Sequence, residues 1–219
     1  MDKCSKYEFK SFKFSSHKKL INFVYPNSRV LDVGCSKGYI ARELKKKGCS
    51  ITGIDINKED LREAKKYCDR TILGDITKKD IKEKFDVIIL GDIIEHVVQP
   101  LDLLKKLRKN LDKGGYILIS TPNIVNIYPR LKIFLGSFDY EDIGFFDRTH
   151  LRFFTLKTFK KMVADSGYSI VSLEFTPIPI YLGFPNISKT LLKPFYYLLN
   201  IAANIYPRLF AYQFVAKIK

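Results

Sequence analysis

Short β-branched runs alternate with amphipathic stretches over residues 29–121, and this alternation narrows the fold more than any other feature of the chain. RVLDVG, SITGIDI, TILGD, FDVIILGD and YILIST read as strands. Residues 37–47, 58–67 and 101–111 read as the intervening helices; the last carries apolar positions 101, 103, 104, 107 and 111 on one face. Gly48 follows the first helix as its C-terminal stop, and Asn57 precedes the second as an N-cap. Near-continuous apolar strands alternating with helices predict a parallel sheet covered on both faces.

Beyond Thr121 the rhythm changes. Residues 123–150 are rich in aromatics, LKTFKKMVADSG reads as a helix ending at Gly167, and YSIVSLEF reads as a sixth strand. Residues 176–208 are apolar but interrupted by Pro177, Pro179, Pro185, Pro194 and Pro207. LFAYQFVAKIK then reads as a closing strand, and with no crossover helix before it an antiparallel placement is expected. At 219 residues and 46% hydrophobic, the chain is expected to form one domain with one sizeable core.

Chemistry gathers at the strand ends, where doubly wound sheets bind ligands. Asp32-Val33-Gly34-Cys35-Ser36-Lys37-Gly38 forms the turn after the first strand, and glycines at 34 and 38 let a ligand approach the backbone. Asp55 ends the second strand, 21 residues beyond Gly34, where a carboxylate can accept from both hydroxyls of a ribose. Asp75 ends the third, suited to an adenine amino group, with Ile76 beside it to pack on the ring. Asp92 ends the fourth. Acids at successive strand ends favour a nucleoside-bearing, net-positive ligand over a pyrophosphate. A dinucleotide oxidoreductase would want G-x-G-x-x-G, whereas this turn reads G-C-S-K-G.

These residues resemble class I S-adenosylmethionine (SAM)-dependent methyltransferases, especially the branch that includes the ubiquinone-biosynthesis O-methyltransferases. VLDVGCSKG matches the family's first motif with Ser36 in place of its middle glycine; GIDI, FDVIILGDIIEHVVQP and LDKGGYILISTPN match the ribose-binding, fourth-strand and fifth-strand motifs. GFFDRTHLRFFTLKTFKKMVADSGY is similar to a subgroup associated with sugar or lipid-linked substrates. The resemblance implies a Rossmann-like, doubly wound α/β fold of seven strands in the order 3-2-1-4-5-7-6, strand 7 antiparallel, with helices on both faces. It implies SAM as cofactor, with Asp32, Gly34, Cys35, Gly38, Asp55, Ile56, Asp75, Ile76 and Asp92 as its contacts. It also implies that residues 1–28 form a helical cover over SAM and that 123–154 and 176–208 are substrate-side insertions.

Methyl transfer to oxygen benefits from a base near neutral pH. Of the three histidines, His96 lies just past the fourth strand and His150 in the loop expected over the pocket; both are candidate bases, with structural hydrogen bonding as the alternative. His17 sits in the N-terminal cover. In ubiquinone-type relatives an acid-x-x-Glu-His cluster can hold a divalent cation, here Asp92, Glu95 and His96, but two ligands at i, i+3 do not define a site and no metal is assigned. Tyr128, Phe134, Phe138, Tyr140, Phe145 and Phe146 read as an apolar pocket or lid, or as ordinary core.

The net charge of +15 attracts anions, or simply reflects solvated helix faces. A nucleic-acid methyltransferase would fit the charge. The fourth strand, however, ends in GDIIEH rather than the N-P-P-[YF] of base-amine enzymes, so a nucleic-acid partner is not expected. Residues 190–208, flanked by Lys189, Lys193 and Arg208, have the pattern of an interfacial helix in peripheral contact with a membrane, or of a helix capping the pocket. MDKCSKYEFKSFKF lacks the apolar core of a signal peptide, and Cys4, Cys35, Cys49 and Cys68 contain no C-x-x-C pair. A cytoplasmic protein, peripheral at the inner membrane surface, is expected. The overall expectation is a SAM-dependent methyltransferase acting at oxygen on a small-molecule or lipid- or sugar-linked acceptor; a nucleic-acid methyltransferase and a non-catalytic SAM-binding protein are the alternatives.

Overall fold

A computed structural model of the chain describes residues 9–10, 12–183 and 186–219; the expected cover over residues 1–8 and 11, and Pro185, lie outside the described residues. Seven strands form one sheet: β1 (Arg29–Val33), β2 (Ser50–Asp55), β3 (Arg70–Leu73), β4 (Phe85–Gly91), β5 (Leu111–Pro122), β6 (Ile170–Thr176) and β7 (Gln213–Ile218). The order is β3-β2-β1-β4-β5-β7-β6, with β1 to β5 parallel and β7 antiparallel to both neighbours. The doubly wound expectation is met strand for strand.

The helices are α1 (Ser16–Phe23), α2 (Tyr39–Lys45), α3 (Lys58–Ala64), α4 (Pro100–Leu107), α5 (Ile127–Phe134), α6 (Leu156–Asp165), α7 (Ile180–Gly183), α8 (Lys189–Ile205) and α9 (Pro207–Phe210). Alternation along β4 shows why both faces must be covered. Val87 and Ile89 pack with Leu20, Ala41, Leu44 and Leu61 of α1 to α3, while Ile88 and Leu90 pack with Leu103, Leu104 and Leu107 of α4 and Phe159 of α6. Asn57 caps α3 as expected, accepting from the amides of Glu59 and Asp60. Thr155 and Thr158 close a reciprocal capping pair at the start of α6.

Helices α2 and α3 are shorter than the expected 37–47 and 58–67, and two further boundaries differ for a clear local reason. The helix expected over 101–111 stops at Leu107, because the buried Asn110 side chain donates to Ile81 O (2.6 Å) and Glu83 O (3.1 Å) and the chain enters β5 at Leu111, opposite Phe85. The closing strand begins at Gln213 rather than Leu209, since Pro207 opens the short helix α9.

Register decides where the site lies. Val33 pairs with Ile54 and Leu90, Asp55 with Leu73, and Gly91 with Ser120. The residues just beyond these positions therefore share one edge of the sheet.

Candidate functional site

The turn after β1 is tightly wound. Gly34, Ser36 and Gly38 take positive φ values of 67°, 46° and 78°. Gly34 N and Cys35 N both donate to Ile54 O, at 2.8 and 3.2 Å. A Cβ at Gly34 would lie 2.1 Å from Ile93 Cδ1, so both its conformation and its surroundings require glycine. Ser36 stands in the left-handed region without that freedom, at a cost of about 1–2 kcal/mol. Its amide donates to Asp55 Oδ2 at 2.8 Å, and Asn57 N donates to Asp55 Oδ1 at 2.8 Å. Each oxygen of Asp55 thus accepts one backbone bond and retains capacity for a diol. The Cys35 thiol is buried against Gly53, so Cys35 offers the turn its backbone.

Asp32 is 2% exposed, and its Oδ2 has no hydrogen-bond partner. Burial, and then the charge of Asp55, push its carboxyl up to about 7. Such a group lacks a cation. SAM carries an ammonium and a sulfonium, so the unsatisfied acid beside a glycine turn fits it. Asp75 Oδ1 accepts from Thr77 Oγ1 (2.7 Å) and Thr77 N (2.8 Å), and the hydroxyl bond holds the carboxyl below its usual range. The neighbouring isoleucines divide: Ile76 is buried in the core, whereas Ile56 is 76% exposed beside Asp55.

At the end of β4, Asp92 takes φ 56°. Its Oδ1 accepts from Ser120 Oγ (2.5 Å) and Gln213 Nε2 (2.7 Å), and its Oδ2 pairs with Lys10 Nζ at 2.7 Å. Burial opposes ionisation, but Lys10 and Ser120 outweigh it and hold Asp92 well below the carboxylate range. The expected SAM contact thus has three side-chain partners within the chain. Lys10, Ser120 and Gln213 carry no motif that would have marked Lys10 or Gln213; Ser120 alone falls within the fifth-strand motif.

Glu95 and the two expected bases come together one turn further on. The amides of Leu151 and Arg152 donate to Glu95 O (2.8 and 3.0 Å), folding the loop that carries His150 back onto β4. Thr121 Oγ1 donates to Glu95 Oε2 at 3.1 Å, while the buried Oε1 has no partner. Burial, and then Asp92, raise this carboxyl well above its ordinary value. The His96 and His150 rings meet edge to face with centroids 4.8 Å apart. His96 Nδ1 bonds the Thr149 main chain at 3.1 Å. Burial, and then His96, lower His150, keeping it neutral. One ligand atom from each of Glu95, His96 and His150 lies within 4.8 Å of the others, among the described residues. That set suits a divalent cation, and it includes His150 where the resemblance implied Asp92.

His17 faces the same region, but its Nδ1 accepts the Lys10 amide at 3.1 Å, and burial, then Lys10, depress it to about 4. Of the aromatics in 123–150, Phe145 and Phe146 are core, whereas Tyr128, Phe134, Phe138 and Tyr140 are exposed, Phe134 at 86%. A crevice beside the histidines is lined by Glu95, Pro122, Ile124, Phe145, Arg152 and Phe153.

A family profile described as a methyltransferase domain matches residues 9–173. A ubiquinone biosynthesis O-methyltransferase from Psychrobacter arcticus is 27% identical over 180 residues, covering 75% of this chain and 69% of that protein. One from Actinobacillus pleuropneumoniae is 33% identical over 107 residues, covering 43% of this chain and 46% of that protein. The chain thus spans about half of several relatives it matches. Among solved structures, a SAM-dependent methyltransferase from Archaeoglobus fulgidus superposes with a TM-score of 0.63 at 20% identity, covering 92% of this chain and 89% of that one. The magnesium protoporphyrin IX methyltransferase of Synechocystis with bound S-adenosylhomocysteine (SAH) also gives 0.63, at 16% identity, covering 93% of this chain and 81% of that one.

Proposed function

Because the chain belongs to the methyltransferase-domain family, with the class I fold and SAM as methyl donor, we propose that it methylates an oxygen of a small-molecule or lipid- or sugar-linked acceptor. The observation that most supports the donor assignment is the buried Asp32 carboxyl with an unpartnered oxygen beside the Gly34 turn. In this reading Asp55 receives the ribose, Ile56 and Asp75 flank the base, and the backbone of residues 34–38 accommodates the methionine end. SAM supplies a methyl group already activated as a sulfonium, so the chain's task is to position the acceptor and take its proton. Neutral His150, paired with His96, is placed to accept that proton. The oxygen assignment draws on the names of the relatives, both ubiquinone biosynthesis O-methyltransferases.

A second reading of the same cluster is favoured by the convergence of Glu95, His96 and His150: a divalent cation held there would bind the acceptor oxygen directly.

Residues 190–208 support peripheral contact with anionic lipid. No helix among the described residues is long and apolar enough to cross a membrane. Yet α8 exposes Leu191, Phe195, Leu198, Ile201 and Ile205, and the exposed Lys189, Lys193 and Arg208 flank this stripe.

Calorimetric titration with SAM and SAH tests the donor assignment, with Asp55→Ala as control. Binding near micromolar that weakens at least about tenfold in the variant is expected. No binding to wild type overturns it.

A further inference from the structure

Ser36 takes the left-handed conformation that Gly34 and Gly38 reach without penalty, so its surroundings must hold it there. Four hydrogen bonds supply that restraint, and together they form a closed ring. Ser36 N donates to Asp55 Oδ2 at 2.8 Å, and Asn57 N donates to Asp55 Oδ1 at 2.8 Å. Asn57 Oδ1 accepts from Asp60 N at 3.2 Å, and Asp60 Oδ2 accepts from Ser36 Oγ at 3.3 Å. The ring runs from Ser36 through Asp55, Asn57 and Asp60 back to Ser36, and it ties the turn after β1 to the start of α3.

Three of these links follow from the strand-end acid and the cap of α3. The fourth, from Ser36 to Asp60, spans 24 positions. Asp60 lies in the first turn of α3 but is 2% exposed. An acid that only favoured the helix N-terminus would do so from the surface, as the exposed Glu59 beside it does, without the cost of desolvation. The burial of Asp60 therefore has another reason. Residues other than glycine enter the left-handed region chiefly when a short polar side chain finds a hydrogen bond nearby, and the Ser36 hydroxyl finds Asp60. Glycine at this position would need no such bond. The far end of the turn also rests on α3, since a Cβ at Gly38 would lie 3.1 Å from Ala64 Cα.

We propose that Asp60 is a positioning residue for the methyl donor: it holds Ser36 in the left-handed conformation, which keeps the Ser36 amide on Asp55 and fixes the carboxyl that receives the ribose. The inference rests on the donor assignment. Asp60 acts through Ser36. When the Ser36–Asp60 bond is lost, the turn relaxes out of the left-handed region and withdraws its amide from Asp55. The donor then meets an acid whose two oxygens are no longer both anchored. This device belongs to a turn with serine at position 36; with glycine there, Asp60 has nothing to restrain.

The test is a cycle of SAH affinities measured by calorimetric titration on the full chain. Wild type, Asp60→Ala, Asp60→Asn and Ser36→Ala are compared, together with Ser36→Gly with and without Asp60→Ala. Loss of a restraint that offsets a left-handed backbone corresponds to about tenfold in affinity. Asp60→Ala and Ser36→Ala are each expected to bind SAH at least about tenfold more weakly than wild type. Asp60→Asn, whose amide oxygen accepts the same bond, is expected within about threefold. In the Ser36→Gly background, adding Asp60→Ala is expected to cost less than about twofold. A loss on Asp60→Ala that is equally large in both backgrounds overturns the proposal, assigning Asp60 to the support of α3 alone. Ser36→Ala binding SAH as tightly as wild type also overturns it, and this arm decides the question if Asp60→Ala does not fold. Failure of wild type to bind SAH would instead strike the methyl-donor assignment.

Discussion

Asp32 and Asp92 are acids at the ends of adjacent strands, and their partners separate them. Asp92 has three donors and stays ionised; Asp32 retains an unpartnered oxygen, and its carboxyl is raised to about 7. A carboxyl raised on folding binds its proton more tightly in the native state. Its contribution to stability is therefore full at low pH and is lost as pH rises toward 7. Asp32→Asn removes that loss. In differential scanning fluorimetry without ligand, the variant is expected to melt at least about 2–4 °C above wild type near pH 8, the shift that ~1 kcal/mol produces at this size, and level with it near pH 4. Titration calorimetry should show SAM affinity falling in the same variant. A variant that gains stability and keeps SAM affinity would remove Asp32 from the donor site. His96 and His150 make a second residue-scale case. His150→Ala is expected to lower turnover by about a hundredfold or more with SAH binding intact, as loss of a general base does. Turnover that persists after exhaustive chelation would discard the cation reading and leave the base.

At the scale of elements, α8 is unusual in facing its apolar side outward. Tyr196 and Ala203 are buried against the body of the chain, while Leu191, Phe195, Leu198, Ile201 and Ile205 lie exposed along the opposite side. Each such side chain, fully buried, is worth about 1.5–3 kcal/mol. Phe195→Glu combined with Leu198→Glu should abolish co-sedimentation with phosphatidylglycerol vesicles while leaving SAH affinity and melting temperature unchanged. Sedimentation equal to wild type would remove α8 from the membrane contact. The histidine pair is also a product of element placement. Glu95 O accepts from two amides of the loop after α5, and without that fold-back His150 would not face His96.

Across the whole molecule, the excess of 15 positive charges acts at longer range than any single pair. Screening length falls from about 10 Å at 0.1 M salt to about 3 Å at 1 M, so exposed cations near anionic lipid lose their attraction while buried pairs are little affected. Vesicle binding is expected to fall steeply between ~50 mM and ~500 mM salt, with SAH affinity nearly constant over the same range. Salt-independent vesicle binding would assign the contact to the apolar stripe without help from charge.

Local sequence determined the parts that depend on neighbours. Periodicity along 29–121 specified strands, helices and a sheet covered on both faces, because side-chain direction repeats every two residues in a strand and every 3.6 in a helix. The Gly34 turn and Asp55 were legible for the same reason: a left-handed backbone and an acid at a strand end are local requirements. The boundaries at Asn110 and Pro207 were not, because a buried side-chain bridge to residues 81 and 83 and a new helical turn override the apolar pattern. Only the tertiary structure joined Lys10 to Asp92 across 82 positions, Gln213 to Asp92 across 121, and His96 to the Thr149 loop across 53. The Gln213 contact follows from strand order and register, which bring the ends of β4, β5 and β7 side by side, and the other two from the folding of the segment before α1 and the loop after α5 onto that edge.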